Sequence, residues 1–379
     1  MFCDRYTEQM ESQLFSQWDK FDTGEEDYSA IVDFLNDSTS FQSFGDSLLS
    51  FMAKRGTDLT PETALRYIDG VCSKAKIDKS EIGSTNTLKS WFKGGPRPKK
   101  GKDSRNAMFA LAFALDLSPE ETSELFHKVY LDRAFNYRDE TELIYYYCLA
   151  NKKTWQDAQN LIAQIATDEP VCEDHTVYTS VIKNSVDGLL TESALLSYIA
   201  NHRHNFEKNS VAAKEAVSGL LKKAKETAKE ESSLPEYADL YRGSNRDSVS
   251  FMYEVITGFS VSGKTGTTTV FKNARLPKEI KNRFPEAGTF AKKEPTFEEL
   301  RKMIVLLFSY CYWYQLQKQG LESDIDNYVQ ELNVYLSNSG LPMLYYGNPF
   351  DWMFLYCNLA EYPLDAFREI LAEVSVEPD

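Results

Sequence analysis

Apolar residues recur at spacings of three and four along most of the chain, the period of a helix with one buried face. After Thr60-Pro61, the positions Ala64, Leu65, Ile68, Val71 and Cys72 follow this rule. Thr60 and Pro61 supply an N-cap and a first-turn proline. Shorter helices are predicted over 47–54 and 84–93, the second closed by Gly94-Gly95-Pro96. Residues 105–117 (RNAMFALAFALDL) are apolar nearly all round, so this helix should be buried. Ser118-Pro119-Glu120-Glu121 has the form of a capping box and starts the next helix. Further helices are predicted over 140–149, 154–165, 191–201 and 211–231, and another opens at Asn348-Pro349-Phe350-Asp351. The pattern breaks over 233–295, where Gly, Pro, Ser and Thr accumulate and Thr267–Phe271 reads as a β segment. No internal repeat of 20–50 residues is evident.

The expected architecture is mostly α and multi-helical. An N-terminal helix-turn-helix domain precedes a larger helical C-terminal region with a short irregular or β insert. The expected divisions are an acidic arm (1–40), a helix-turn-helix-like domain (41–135), a helical middle domain (136–235) and an aromatic-rich helical domain (236–379).

Composition narrows the class. Of 379 residues, 42% are hydrophobic and 26% charged, with 22 Tyr, 23 Phe and 5 Trp, enough apolar surface to offset the entropy of ordering. The N-terminus lacks the basic and apolar regions of a signal peptide. The apolar run 303–314 is too short to span a bilayer. The six cysteines are scattered without a CxxC pair, which fits a reducing, cytoplasmic setting and indicates neither a zinc ribbon nor a dithiol site.

Charge changes the picture more. The net charge is −15, yet residues 74–105 hold ten Lys/Arg and three Asp/Glu, a local +7 that leaves −22 for the rest. Residues 1–40 hold ten acids against two bases, and residues 319–379 eleven against one. A basic island inside an acidic protein is a candidate footprint for nucleic acid. Two weaker basic stretches follow, net +4 over 208–229 and net +5 over 264–302.

The island lies on a helix order that resembles the phage-repressor (Xre/Cro-like) helix-turn-helix domain over about residues 44–130, most closely over 84–125. Thr87, Leu88, Trp91 and Gly94 match its short recognition helix, Arg97-Pro98 its basic-Pro loop, and Leu115, Leu117, Ser118, Glu120 and Glu121 its link between the fourth and fifth helices. The resemblance implies binding of double-stranded DNA. Leu88, Trp91 and Phe92 share one face and anchor the helix. Ser84, Thr85, Asn86, Lys89 and Ser90 then face outward toward base edges. Lys93, Arg97, Lys99, Lys100, Lys102 and Arg105 flank the phosphate backbone. The expected protein is a sequence-specific transcriptional regulator and homo-oligomer, not an enzyme, with no cofactor, no metal and no membrane partner.

Other patterns carry other readings. Gly258–Thr265 (GFSVSGKT) fits the phosphate-loop pattern, but the Thr-rich run after it is a poor helix start, so a nucleotide site is a lesser alternative. Cys172 and His175 with His202 and His204 have loose metal-like spacing, read as loop and helix-surface residues. The aromatic C-terminal block reads as core, and it or the acidic segments would hold a protein partner. A helical interaction component of a toxin–antitoxin or phage-defence system is the main alternative function.

Overall fold

A computed structural model describes residues 28–37, 39–165, 179–206, 211–239, 241–242, 244–258, 280, 284–285 and 287–375. The described chain is mostly α-helical, with no strand among the described residues. The Thr267–Phe271 segment, Cys172 and His175, and residues 1–27 of the acidic arm lie outside the described residues. The chain divides into two compact units: residues 42–211 (the inserted unit), and residues 1–41 together with 212–379 (the split unit). The boundaries expected at 135/136 and 235/236 both fall within a unit. The end of the expected arm is no appendage: α1 (Ser29–Asn36) buries Ile31 and Leu35 in the core of the split unit.

The inserted unit runs through α2 (Phe44–Lys54), α3 (Pro61–Ala75), a 3₁₀ turn (Lys79–Glu81), α4 (Thr85–Trp91), α5 (Lys102–Ala114) and α6 (Pro119–Glu124). α6 continues as a π-helical turn over Leu125–Tyr130. Then come α7 (Glu140–Ala150), α8 (Trp155–Ile162), α9 (Thr179–Asp187), α10 (Glu192–Asn201) and α11 (Arg203–Phe206). Side-chain caps fix most starts. The hydroxyls of Ser43, Ser84 and Ser118 accept N–H bonds from Asp46, Thr87 and Glu121, and Glu121 reaches back to the Ser118 N–H. Each such cap is worth about 1 kcal/mol. α5 is buried on all sides from Met108 to Ala114 because α3, α8, the 3₁₀ turn and the π turn all pack on it. Its Phe109 lies 4.6 Å from Phe126 and 4.9 Å from Tyr145, centroid to centroid.

The split unit adds α12 (Val211–Glu231), α13 (Pro235–Ala238), α14 (Val249–Thr257), a 3₁₀ turn (Ala287–Ala291), α15 (Phe297–Gln319), α16 (Ile325–Asn338), α17 (Pro349–Cys357) and α18 (Pro363–Ser375). α15 contains the apolar run 303–314, and Leu300–Cys311 is buried without interruption. Trp313 stacks on Phe354 at 5.9 Å, and its indole N–H donates to Asn358 Oδ1 at 2.9 Å. No helix among the described residues is long and apolar enough to cross a membrane. The aromatic C-terminal block is core, as its pattern suggested: Phe350, Trp352, Phe354 and Phe367 are fully buried.

Candidate nucleic-acid interface

α4 is short, and two side chains hold it. Leu88 is fully buried and Trp91 nearly so, with the Trp91 ring 4.7 Å from Phe44. The first turn of α2 passes close to the end of α4. A Cβ on Gly45 would sit 2.2 Å from the Trp91 carbonyl oxygen, so only glycine fits there. After Phe92 the chain turns through Gly94 at φ +74°, and the Gly95 N–H donates to the Ser90 carbonyl at 2.8 Å. With its apolar positions committed to the core, α4 presents Ser84, Thr85, Asn86 and Lys89 to solvent, and Ser90 is half-buried. Lys93, Lys99 and Lys102 are exposed beside it.

The approach to α4 departs from a helix-turn-helix. That motif joins its two helices by a turn of about 3–4 residues. Here residues 76–84 intervene, folded into the 3₁₀ turn that Asp78 caps and pinned by buried Ile77 and Ile82.

Three of the expected phosphate contacts have structural roles instead. Arg105 is 8% exposed, and its guanidinium faces the protein interior. Its Nε and Nη2 donate to the two Glu142 carboxylate oxygens at 2.7 and 2.8 Å. Nη1 donates to Asp132 Oδ2 at 2.8 Å and to the Arg133 carbonyl at 2.9 Å, and Nη2 also donates to the Ala134 carbonyl. Burial works against both charges. Asp132 and Glu142 nonetheless hold the Arg105 pKa above its ordinary value, and the Arg105, Lys100 and Arg133 charges hold the Asp132 carboxyl below the usual range. Arg97 donates to the carbonyls of Val129 and Gln42, and Lys100 to that of Leu131. Tyr130 donates its hydroxyl to the Lys99 carbonyl at 2.7 Å. Residues 97–100 are therefore laced to the end of the π turn. Ion pairing inside a helical core explains Arg105 better than solvent exposure does.

An open hollow of about 520 Å³ lies between α4, the basic loop and α5. Trp91, Pro98 and Met108 form its apolar wall, and Asn86, Ser90 and Lys99 stand on its polar side.

The remaining sequence candidates fare differently. Phe251–Ile256, read from sequence as either a short strand or a helix end ahead of the phosphate-loop pattern, is helical and part of α14. Gly258, the first glycine of GFSVSGKT, ends that helix at φ +75°, while residues 259–265 lie outside the described residues. On α12, Lys214 pairs with Glu294 at 2.9 Å and Lys229 pairs with Asp247, so part of that basic stretch is internally neutralised. His202 bonds the Tyr198 carbonyl through Nδ1 at 2.9 Å. No group of three or more potential metal ligands occurs among the described residues.

Sequence reasoning missed a second buried ion pair, Arg301 with Asp351. The two residues are 6% and 0% exposed, and their two guanidinium–carboxylate bonds measure 2.7 and 2.8 Å. A charged residue within the apolar stretch YYGNPFDWMFLYC was the available signal. Compared with known proteins, the chain matches no family model, no curated sequence and no solved structure.

Proposed function

We propose that the protein binds double-stranded DNA through the exposed face of α4 and the basic loop after it, as a sequence-reading regulator working in the cytoplasm. The observation that carries this reading is a division of labour on one short helix. Leu88 and Trp91 are buried, while Ser84, Thr85, Asn86 and Lys89 stand together in solvent beside Lys93, Lys99 and Lys102. Short polar side chains at the start of a helix suit base edges in a major groove. Lysines around them suit phosphates. The anchoring of residues 97–100 to the π turn supports the same reading, since a preorganised loop loses less entropy on binding. Dimers are the expected assembly on a palindromic site.

Two double variants test it. Lys99→Ala with Lys102→Ala should weaken binding to all duplexes alike and lower the slope of log K against log salt by about 2, at about 0.9 per lost phosphate contact. Asn86→Ala with Lys89→Ala should change the preference among sequences. Wild-type DNA binding in both variants would overturn the assignment.

A further inference from the structure

Two of the arginine–carboxylate pairs share a hydrogen-bond pattern, although Arg105 grips its carboxylate through Nε and Nη2, also bonding Asp132, and Arg301 grips through Nη1 and Nη2. Arg105 lies near the start of α5, and Arg301 near the start of α15. Each grips both oxygens of a carboxylate in the first turn of a later, aromatic helix: Glu142 in α7 and Asp351 in α17. Each carboxylate also accepts the backbone N–H of the residue six positions earlier, Asn136 at 2.6 Å and Tyr345 at 3.0 Å. Each arginine donates further to two carbonyls at the same offsets before its carboxylate. These are Arg133 and Ala134 in one copy, and Pro342 and Met343 in the other.

The correspondence extends in both directions. Tyr147-Cys148 and Tyr356-Cys357 occupy the same places beyond the carboxylates, and all four are buried. The helices between are capped by Ser118 in one copy and Asp324 in the other, and α8 and α18 follow. Ahead of each arginine helix stands a similar pentad. Leu88-Lys89-Ser90-Trp91-Phe92 has Leu88 and Phe92 buried, and Ile280-Lys281-Asn282-Arg283-Phe284 has Ile280 and Phe284 buried. Two lysines precede the arginine helix in both: Lys99 and Lys100 in the first, Lys292 and Lys293 in the second. An isolated buried ion pair is common enough to arise by chance. The same carbonyls, amide and Tyr-Cys pair at the same offsets from the carboxylate are not explained that way.

We infer that residues 88–162 and about 280–371 are two copies of one helical module, and that the second copy makes a second nucleic-acid contact through Lys292 and Lys293. The inference about contact rests on the DNA-binding reading of the first copy. Lys292 and Lys293 are exposed, and Lys292 also pairs with Glu299 on the first turn of α15. Counted back from the arginines they stand nine and eight residues before Arg301, whereas Lys99 and Lys102 stand six and three before Arg105, so the two clusters share a place beside the start of the arginine helix and not a register. One chain would then grip the phosphate backbone at two places, each set by the same arginine clasp.

The test uses the full chain, a random-sequence duplex and a salt series. Lys292→Ala with Lys293→Ala should lower the log–log salt slope by about 2, as Lys99→Ala with Lys102→Ala does, and the four changes together by about 4. The exposed pair Lys222 and Lys223 on α12 serves as the control and should leave the slope unchanged. If only the Lys99 and Lys102 variant lowers the slope, the second contact is refuted and the DNA-binding reading stands. If neither pair matters, both fall. If the control lowers the slope as much, the attraction is diffuse and the second contact is refuted.

Discussion

Replacing Arg105 by Met should damage the fold of the inserted unit without first acting on DNA. Met keeps the length and apolar stem but removes every donor. Glu142 and Asp132, with side chains 9% and 11% exposed, would then hold buried charge without the guanidinium that bonds both of them. Breaking a buried ion pair from one side costs about 3–5 kcal/mol. The Arg133 and Ala134 carbonyls lose their donors as well, which places the cost toward the upper end. For a unit of this size each kcal/mol lowers the midpoint by about 2–4 °C, so a fall of about 6–20 °C is expected. Thermal melts by far-UV circular dichroism, read on the transition of the inserted unit, measure it. A loss under about 2 °C would refute the clasp. So would a variant of wild-type stability with lost DNA affinity, because Arg105 would then be a phosphate contact.

Three further outcomes follow from the same geometry. Gly45→Ala places a methyl against the Trp91 carbonyl and should cost about 1–3 kcal/mol by overpacking, seen as a lower urea midpoint; a neutral result would mean that α2 does not approach α4 as described. Because the folded Asp132 carboxyl is held below its ordinary value, its contribution to stability is complete above about pH 4 and disappears as pH falls through the lower folded value. The Asp132→Asn variant should therefore show a flatter loss of stability under acid, and an unchanged profile would remove Asp132 from the account. Burial pushes the Cys148 thiol up to about 12 and Cys311 up to about 11, and Cys72 and Cys357 are buried too, so all four should resist alkylation until the protein unfolds. Rapid native labelling at any of them, mapped by mass spectrometry, would contradict the packing.

Helical content and most helix starts were legible because caps and apolar period are local signals. Ser118-Pro119-Glu120-Glu121 shows this well, since its capping box forms as written. The outward set on α4 was legible for the same reason: Leu88 and Trp91 fix which way the helix turns. The cations were not. Lys99 and Arg105 look alike in sequence, but one stands in solvent and the other meets Glu142, whose position depends on how α7 packs against the rest of the unit. The repeated module was hidden for a related reason. Its period exceeds the 20–50 residues at which repeats are usually sought, and its two copies share a hydrogen-bond pattern more than a sequence. The division into units was also out of reach, because α1, α12 and α14–α18 unite around one core from distant parts of the chain.

Binding of the intact protein to a random duplex and to the DNA upstream of its own coding sequence, across a salt series, tests the central claim most directly. The account predicts submicromolar binding that favours some sequences and weakens steeply as salt rises. Absent binding, or binding indifferent to salt, would contradict it and leave the basic island as the solvated face of a helical core.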